Sequence, residues 1–368
     1  MKLMKSIGML AAMAWGTAAA ATDVTIGAHT WTLESEGIEV VDHMGVKAFK
    51  VNGGGATLKD GTFKNGIIEF DMHLPDARGF AGVNFRERDE GRNAEQFYLR
   101  PHLPGMPDAN QYQPIFNGNS AWQLLHSPRY SAATPYEFDR WTHVKLVVKD
   151  DQMDVYIDSG NPVLHVDKLM HGTTEGGVTV YGFMAEFYIA NVRVTSDDTV
   201  RLQGTAAPLP EMPEGLITWF KVGTTPVDAK KVEDSPMFDR TMLDGQEWQS
   251  MKVGETGAVN LGRVAARGKD ANTLLVKMNI TADMAKTIKL KYGFSDRATI
   301  FLNGRAIAHE NDTYMTRDYR YLGTMGLFDS VFLPLEKGDN EVIIAVSESF
   351  GGWGVMAAIE DQTGISLH

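Results

Sequence analysis

The sequence predicts an all-β protein made of two sandwich or jelly-roll domains. Short segments that alternate apolar and polar residues recur along the chain. Its 37 glycines, together with Asn, Asp and Pro, mark the ends of those segments. Stretches with helical periodicity are scarce, and a length of 368 residues favours two domains over one.

The first residues have the order of an export signal. Lys2 and Lys5 give a positive start, an apolar run follows from Ile7 to Trp15, and Ala19, Ala20 and Ala21 supply small residues for cleavage. Residues 1–21 are therefore expected to be a signal peptide, and the mature protein periplasmic or extracellular. The alternative is a buried N-terminal helix. The apolar run is too short to span a bilayer, and no later stretch reaches the roughly 18 apolar residues of a membrane helix. Without cysteine, neither a lipid anchor nor a disulfide framework can form.

The clearest strands lie in the first half. Gly66 to Leu74 places Ile68, Phe70, Met72 and Leu74 on one face, with Glu69, Asp71 and His73 on the other. Gly79 to Arg88 places Ala81, Val83 and Phe85 inward, with Asn84 and Arg86 opposed. Gln96 to His102 places Phe97 and Leu99 inward, with Tyr98, Arg100 and His102 opposed. Trp141 to Lys149 and Met153 to Ile157 read as a hairpin around Asp150 and Asp151. Val178 to Tyr181 and Glu186 to Val194 complete a domain over 22–195. Residues 196–214, with Asp197, Asp198, Pro208, Pro210 and Pro213, have linker composition. Strands resume over 215–368, with a two-residue turn expected at Asn303-Gly304 and a short helix at Ala282 to Lys286.

Net charge is −12, and loss of Lys2 and Lys5 takes it to −14 (−12 − 2). An acidic chain with no Lys/Arg run repels phosphate backbones, so nucleic acid is not an expected partner. A neutral ligand such as a sugar is not disfavoured.

Two family resemblances attach to particular segments. TFKNGIIEFDMHLP, WTHVKLVVKDDQMDVYID and EFYIANVRV resemble strands of concanavalin A-like proteins of the LamG and laminarinase (family-16-like) type. The nearest branch is a bacterial domain of formerly unknown function associated with lyase or hydratase action on 3-keto-glycosides. SDRATIFLNGRAIA and FLPLEKGDNEVIIAVSESFGGWGVMAAIED are similar to galactose-binding-like jelly rolls. The first likeness spans about residues 25 to 195 and the second about 215 to 362. Together they imply a concanavalin-like β-sandwich followed by a smaller galactose-binding-like one, with a glycan or small saccharide as partner. One fold hosts many activities, so function has to be argued from a site.

If the three polar faces belong to neighbouring strands, Glu69, Asp71, His73, Asn84, Arg86, Tyr98, Arg100 and His102 share one surface. Planar donors and acceptors beside an aromatic ring suit a sugar; the same pattern also suits the solvent side of an antiparallel sheet. The stretch Pro101 to His126 reads as a long irregular loop, in which Trp122 either stacks on a sugar ring or, with Phe116, plugs the core or covers a sheet edge. Asn84, Arg86, Tyr98, Arg100, Trp122 and Gln123 are thus the expected ligand-binding residues. Glu69-Phe70-Asp71-Met72-His73 lacks the last Glu of the Glu-x-Asp-x-x-Glu hydrolase strand, which speaks against that mechanism. A lyase or hydratase needs a base and an enolate stabiliser; Asp71, His73 or His102 are the base candidates, with Arg86 or Arg100 as stabiliser. A glycoside hydrolase and a non-catalytic scaffold that binds proteins remain the other readings.

The ten histidines show no metal-binding spacing. Asp89-Glu90 and Asp150-Asp151 could hold calcium but lack EF-hand spacing, so no metal or cofactor is expected. In the second domain Trp353, flanked by glycines, is expected as a core anchor in preference to a sugar platform. Arg317, Asp318, Tyr319 and Arg320 are expected in a loop beside it.

Overall fold

The computed structural model describes residues 21–313, 316 and 324–368. The expected signal peptide lies outside them apart from Ala21, as do Arg317, Asp318, Tyr319 and Arg320. The described chain is all-β, every strand pair is antiparallel, and it divides into two compact units, 21–211 and 212–368. Among the described residues no helix is long and apolar enough to cross a membrane.

In the first unit two sheets share one core. The first runs Thr22–Ile26, His29–Leu33, Gly54–Leu58, Gly177–Phe183, Phe80–Arg88, Asn93–Leu99, Asn110–Phe116 and Asn119–Ser120, with Ser131–Ala132 also paired to Asn110–Phe116. The second runs Leu164–Val166, Gln152–Ile157, Trp141–Lys149, Gly66–His73, Phe187–Ser196, Val46–Val51 and Ile38–His43. Ala81, Val83 and Phe85 from the first sheet pack with Ile68, Phe70 and Met72 from the second, all of them fully buried. Period-2 alternation therefore gives each sheet one apolar face, and the two apolar faces close on each other.

Three expectations change. The stretch from Pro101 to His126 is not a continuous loop, because Asn110–Phe116 is a strand within the first sheet. Its apolar signal is weak because Gln111 and Gln113 occupy the outward face and only Tyr112 enters the core. The helix expected near Ala282 is a bend joining Thr273–Ala282 to Lys286–Ser295. The linker-like stretch is tied to the first unit. The Gln203 and Gly204 amides donate to Asp154 Oδ2 at 2.6 and 3.0 Å, and Arg129 Nη1 donates to the Ala207 carbonyl at 2.5 Å.

The second unit has a sheet ordered Trp248–Lys252, Trp219–Gly223, Thr273–Ala282, Gly338–Ser347, Arg297–Leu302 and Arg305–Asn311, with Ile365–Leu367 also on Thr273–Ala282. A smaller sheet runs Val259–Asn260, Gly354–Ala358, Lys286–Ser295 and Asp329–Leu335. Asn303 (φ 49°) and Gly304 (φ 81°) make the expected turn, where both central residues must accept positive φ. Trp353 is fully buried and its Nε1 donates to the Val346 carbonyl at 2.9 Å, so it anchors the core.

This core also holds two carboxyl groups. Asp296 Oδ2 accepts the amides of Ser349 and Phe350 at 2.8 and 2.9 Å, and Glu348 Oε1 accepts the Gly352 amide at 3.2 Å. Burial, and then the charge of Asp296, push Glu348 up to about 8 from 4.5. A carboxyl that binds its proton more tightly when folded loses stability as pH rises between its unfolded and folded values. The stability of the second unit is therefore expected to fall from about pH 4.5 to about pH 8. Thermal melts across that range check this, and Glu348→Gln should flatten the slope.

Candidate functional site

The residues expected to form one surface are divided between the two sheets. The Gly66–His73 strand pairs with Trp141–Lys149 and Phe187–Ser196, not with Phe80–Arg88. The chain from Leu74 to Gly79 crosses from one sheet to the other, so succession in sequence is not adjacency in a sheet. Asp71 and His73 therefore cannot act together with His102. Asp71 takes hydrogen bonds from Asn191 Nδ2 at 2.6 Å and pairs with His143 Nδ1 at 2.7 Å. His73 instead sits among rings: His43 at 4.7 Å, Trp141 at 6.0 Å and Tyr188 at 5.9 Å between centroids.

Arg86 also departs from the expected face. A bulge lies between Phe85 and Arg88, and Arg86 has φ 54°. The extra residue breaks the period-2 alternation, and the guanidinium turns inward, fully buried. Nε and Nη2 donate to the Lys64 carbonyl at 2.9 and 2.6 Å, Nη1 to Gly172 at 2.7 Å, and Nη2 to Asp150 at 2.6 Å. Arg86 is a clasp between three loops and cannot reach a ligand. A sequence signal for the bulge existed in the consecutive Gly176 and Gly177. A Cβ on Gly176 would meet the Glu87 carbonyl oxygen at 2.2 Å and the Arg86 carbonyl carbon at 2.6 Å, so the partner strand approaches where the bulge forms.

The outward face of the first sheet does gather polar groups, in a row across five strands. The register aligns Thr57, Thr179, Asn84, Gln96 and Gln113. Gln113 Nε2 donates to Gln96 Oε1 at 2.5 Å, Gln96 Nε2 to Asn84 Oδ1 at 2.8 Å, and Asn84 Nδ2 to Glu87 Oε1 at 3.0 Å. Glu87 Oε2 contacts Thr179 Oγ1 at 2.5 Å, Thr179 meets Thr57 Oγ1 at 2.8 Å, and Thr57 contacts Glu34 Oε1. Three contacts link these two hydroxyls and two carboxyls, yet two hydroxyls supply only two protons. A proton on the Glu87 carboxyl would supply the third. Burial, reinforced by the charge of Glu34, pushes the Glu87 carboxyl up, against the hydrogen bonds from Thr179 and Asn84.

The next row reads Gly55, Tyr181, Gly82, Tyr98 and Gln111. A Cβ at Gly82 would stand 2.0 Å from the Phe97 carbonyl oxygen, so glycine is required between the two tyrosines. Arg100 Nη2 donates to Tyr98 Oη at 2.6 Å and Gln111 Oε1 at 2.5 Å, and Nη1 donates to the Asp108 carbonyl at 2.7 Å. Tyr98 and Arg100 are each only 4% exposed and positioned for support, not for direct ligand contact. Beyond them Phe80 and Phe183 stack at 5.0 Å, both half-buried, with Tyr98 6.0 Å and His102 5.3 Å from Phe80. Burial and the charges of Arg78 and Arg100 lower His102 to about 4, which holds its imidazole neutral near pH 7. Gln123 is buried, Trp122 half-buried, and the Trp122 carbonyl accepts Gln111 Nε2 at 2.9 Å. The segment around Trp122–Leu124 thus closes one end of the face.

Of the expected ligand residues, Asn84 alone is on this face, half-buried, and part of the polar row. Sequence reasoning missed Glu87, Thr57, Thr179, Gln96, Gln113, Phe80 and Phe183. Among the described residues no group of three or more His, Asp or Glu side chains is arranged to hold a metal.

No family model matches the chain, and no characterised protein matches it in sequence. Among solved structures, a family 66 carbohydrate-binding module from Bacillus subtilis is 18% identical with a TM-score of 0.33, covering 44% of this chain and 92% of that one. A Bacillus subtilis protein of unknown function with a galectin-like fold is 13% identical with a TM-score of 0.31, covering 42% and 87%. Trypanosoma rangeli sialidase is 16% identical with a TM-score of 0.23, covering 45% of this chain and 28% of that one. At these scores none of them assigns an activity to this chain.

Two outcomes are expected at this site. Arg86→Ala removes the buried guanidinium that fastens the Lys64, Asp150 and Gly172 carbonyls and should destabilise the first unit by about 3 kcal/mol in urea unfolding, and Arg86→Lys, lacking the planar fork, should not restore it. In carbon-13 NMR titrations the Glu87 carboxyl should protonate above the ordinary carboxylate range, and Glu34→Gln should bring it down.

Proposed function

We propose that the protein recognises glycans through the outward face of the first sheet of the first unit. The observation that carries this is the five-strand row of amide, hydroxyl and carboxyl groups with the Phe80–Phe183 stack on the same face, four residues and about 13 Å further along the strand. Saccharides present alternating C–H faces and hydroxyl edges, so a face that carries a ring pair at one end and planar donors and acceptors at the other matches successive units of an oligosaccharide. Asn84 and Glu87 are the polar contacts, Phe80 and Phe183 form the platform, and Tyr98, Arg100 and Gln111 fix the floor. Preorganisation of these groups by mutual hydrogen bonds lowers the ordering cost of binding. The concanavalin-like first domain, the galactose-binding-like second domain and export from the cytoplasm belong to the same proposal. The sequence segments given above and the Lys2-to-Ala21 pattern support them.

One observation favours a hydrolytic reading as well. Glycoside hydrolysis uses a carboxyl kept protonated by its surroundings together with a second carboxylate, and Glu87 linked to Glu34 through two hydroxyls has that character. The catalytic set first expected, Asp71, His73 and His102, has no such arrangement.

Binding to a glycan array followed by calorimetry on the full chain tests the proposal. Asn84→Ala and Phe183→Ala should each weaken the selected saccharide about tenfold, equivalent to ~1.4 kcal/mol, in protein still folded at the assay temperature. Trp141→Ala, on the other sheet, should leave affinity unchanged. Absence of binding to any glycan, or equal loss in Trp141→Ala, contradicts the assignment. Product release abolished by Glu87→Gln would make the site catalytic.

A further inference from the structure

A second constellation lies in the first unit, at the edge of its second sheet. Asp154 and His165 face each other across the Gln152–Ile157 and Leu164–Val166 strands. Asp154 points away from the core, yet it is fully buried because residues 203–207 lie over it. Its Oδ1 is 2.6 Å from His165 Nδ1, and its Oδ2 accepts the Gln203 and Gly204 amides at 2.6 and 3.0 Å. Gly204 is required for this approach, since a Cβ there would stand 2.4 Å from Asp154 Oδ1 and 2.6 Å from His165 Cβ.

The consequence is chemical. In the neutral imidazole, a proton on Nδ1 faces the carboxyl oxygen, which leaves the Nε2 lone pair as an acceptor. His165 lines a pocket of about 450 Å³ with Pro128, Pro162, Val163, Leu164 and Thr205. Its volume falls within the range of roughly 300–1,000 Å³ seen for small-ligand sites. The lining is mixed: Asn161, Gln203 and Thr205 bring polar groups, Pro128, Pro162 and Val163 bring apolar surface, and the imidazole is the ring among them. An anion would meet a lone pair there, whereas a hydroxyl would donate to it.

We propose that this pocket is a second binding site for a neutral, hydroxyl-bearing ligand of monosaccharide size, with His165 Nε2 accepting a ligand hydroxyl. Pro128, Pro162 and Val163 form the apolar wall against its C–H face. The stretch 203–207, linker-like in composition, builds the opposite wall and orients the imidazole through Asp154. This site shares no residue with the outward face of the first sheet, so it stands or falls separately from the function proposed above.

Nitrogen-15 NMR of the histidine side chains in the full chain tests it, with methyl glucoside, methyl galactoside and N-acetylglucosamine as probes and sulfate as the anionic comparison. At pH 7 the expected spectrum shows His165 protonated at Nδ1. At least one of the three sugars should shift the Nε2 resonance saturably, and sulfate should not. Thr205→Trp, a change at an exposed position that fills the pocket, should abolish the shift while the remaining histidine signals report an intact fold. Asn84→Ala, which removes a contact of the first site, should leave it in place. The proposal is overturned by a proton on Nε2, by a response to sulfate and not to the sugars, by no response to any of the three sugars, or by a shift that survives Thr205→Trp.

Discussion

A polar side chain removed from water must find a partner within the protein, and the outward face of the first sheet is organised around that requirement. Gln111 is fully buried there, while Gln96, Gln113, Thr179, Tyr98, Tyr181 and Arg100 are between 4% and 7% exposed. None of these groups belongs to the apolar core. Leaving any of them unpaired would cost on the order of 1–3 kcal/mol. The strand register places the groups of the Gln113–Gln96–Asn84–Glu87–Thr179–Thr57 row so that each meets the next, and that row ends on the Glu87–Glu34 pair and on the Ala121 amide, 2.8 Å from Gln113 Oε1. The result is a rigid polar surface already shaped before any ligand arrives.

This arrangement separates supporting groups from contacting ones. Tyr98, Arg100 and Gln111 are saturated by each other and by backbone groups, so they hold geometry. Asn84, Glu87, Phe80 and Phe183 keep exposed surface and can meet a ligand. The other sheet uses its outward face differently. His43 stacks on Tyr188 at 3.6 Å and Trp141 stands edge-on to His43 at 5.6 Å, while Glu69 and Asp71 are engaged by Arg193, His143 and Asn191. At the edge of that same sheet the covering stretch 203–207 turns a cross-strand Asp–His pair into the wall of a pocket.

Alternation made most central strands legible in the sequence. Trp141–Lys149 has the bounds expected from its pattern, and the Asn303-Gly304 turn follows from the φ each residue tolerates. Asn110–Phe116 was hidden because its outward positions are amides, which read as loop. Arg86 was misplaced because a bulge interrupts alternation, and only the paired glycines across from it gave a hint. Asp71 and His73 were grouped with His102 because sequence order does not say to which of two sheets a strand belongs. Gln96, Gln113, Thr57 and Thr179 carry no motif. Their importance arises from register, which is set by long-range pairing. Trp353 was legible because a glycine-flanked aromatic has few places to go except the core.

A crystal structure of the full chain soaked with its best-binding oligosaccharide would address the central claim most directly. The account predicts one sugar unit lying on Phe80 and Phe183 and another unit of the same oligosaccharide, about 13 Å along the strand, in hydrogen-bond contact with Asn84 or Glu87. A saccharide seated instead on His43, Trp141 and Tyr188, or held by the second unit alone, would contradict it.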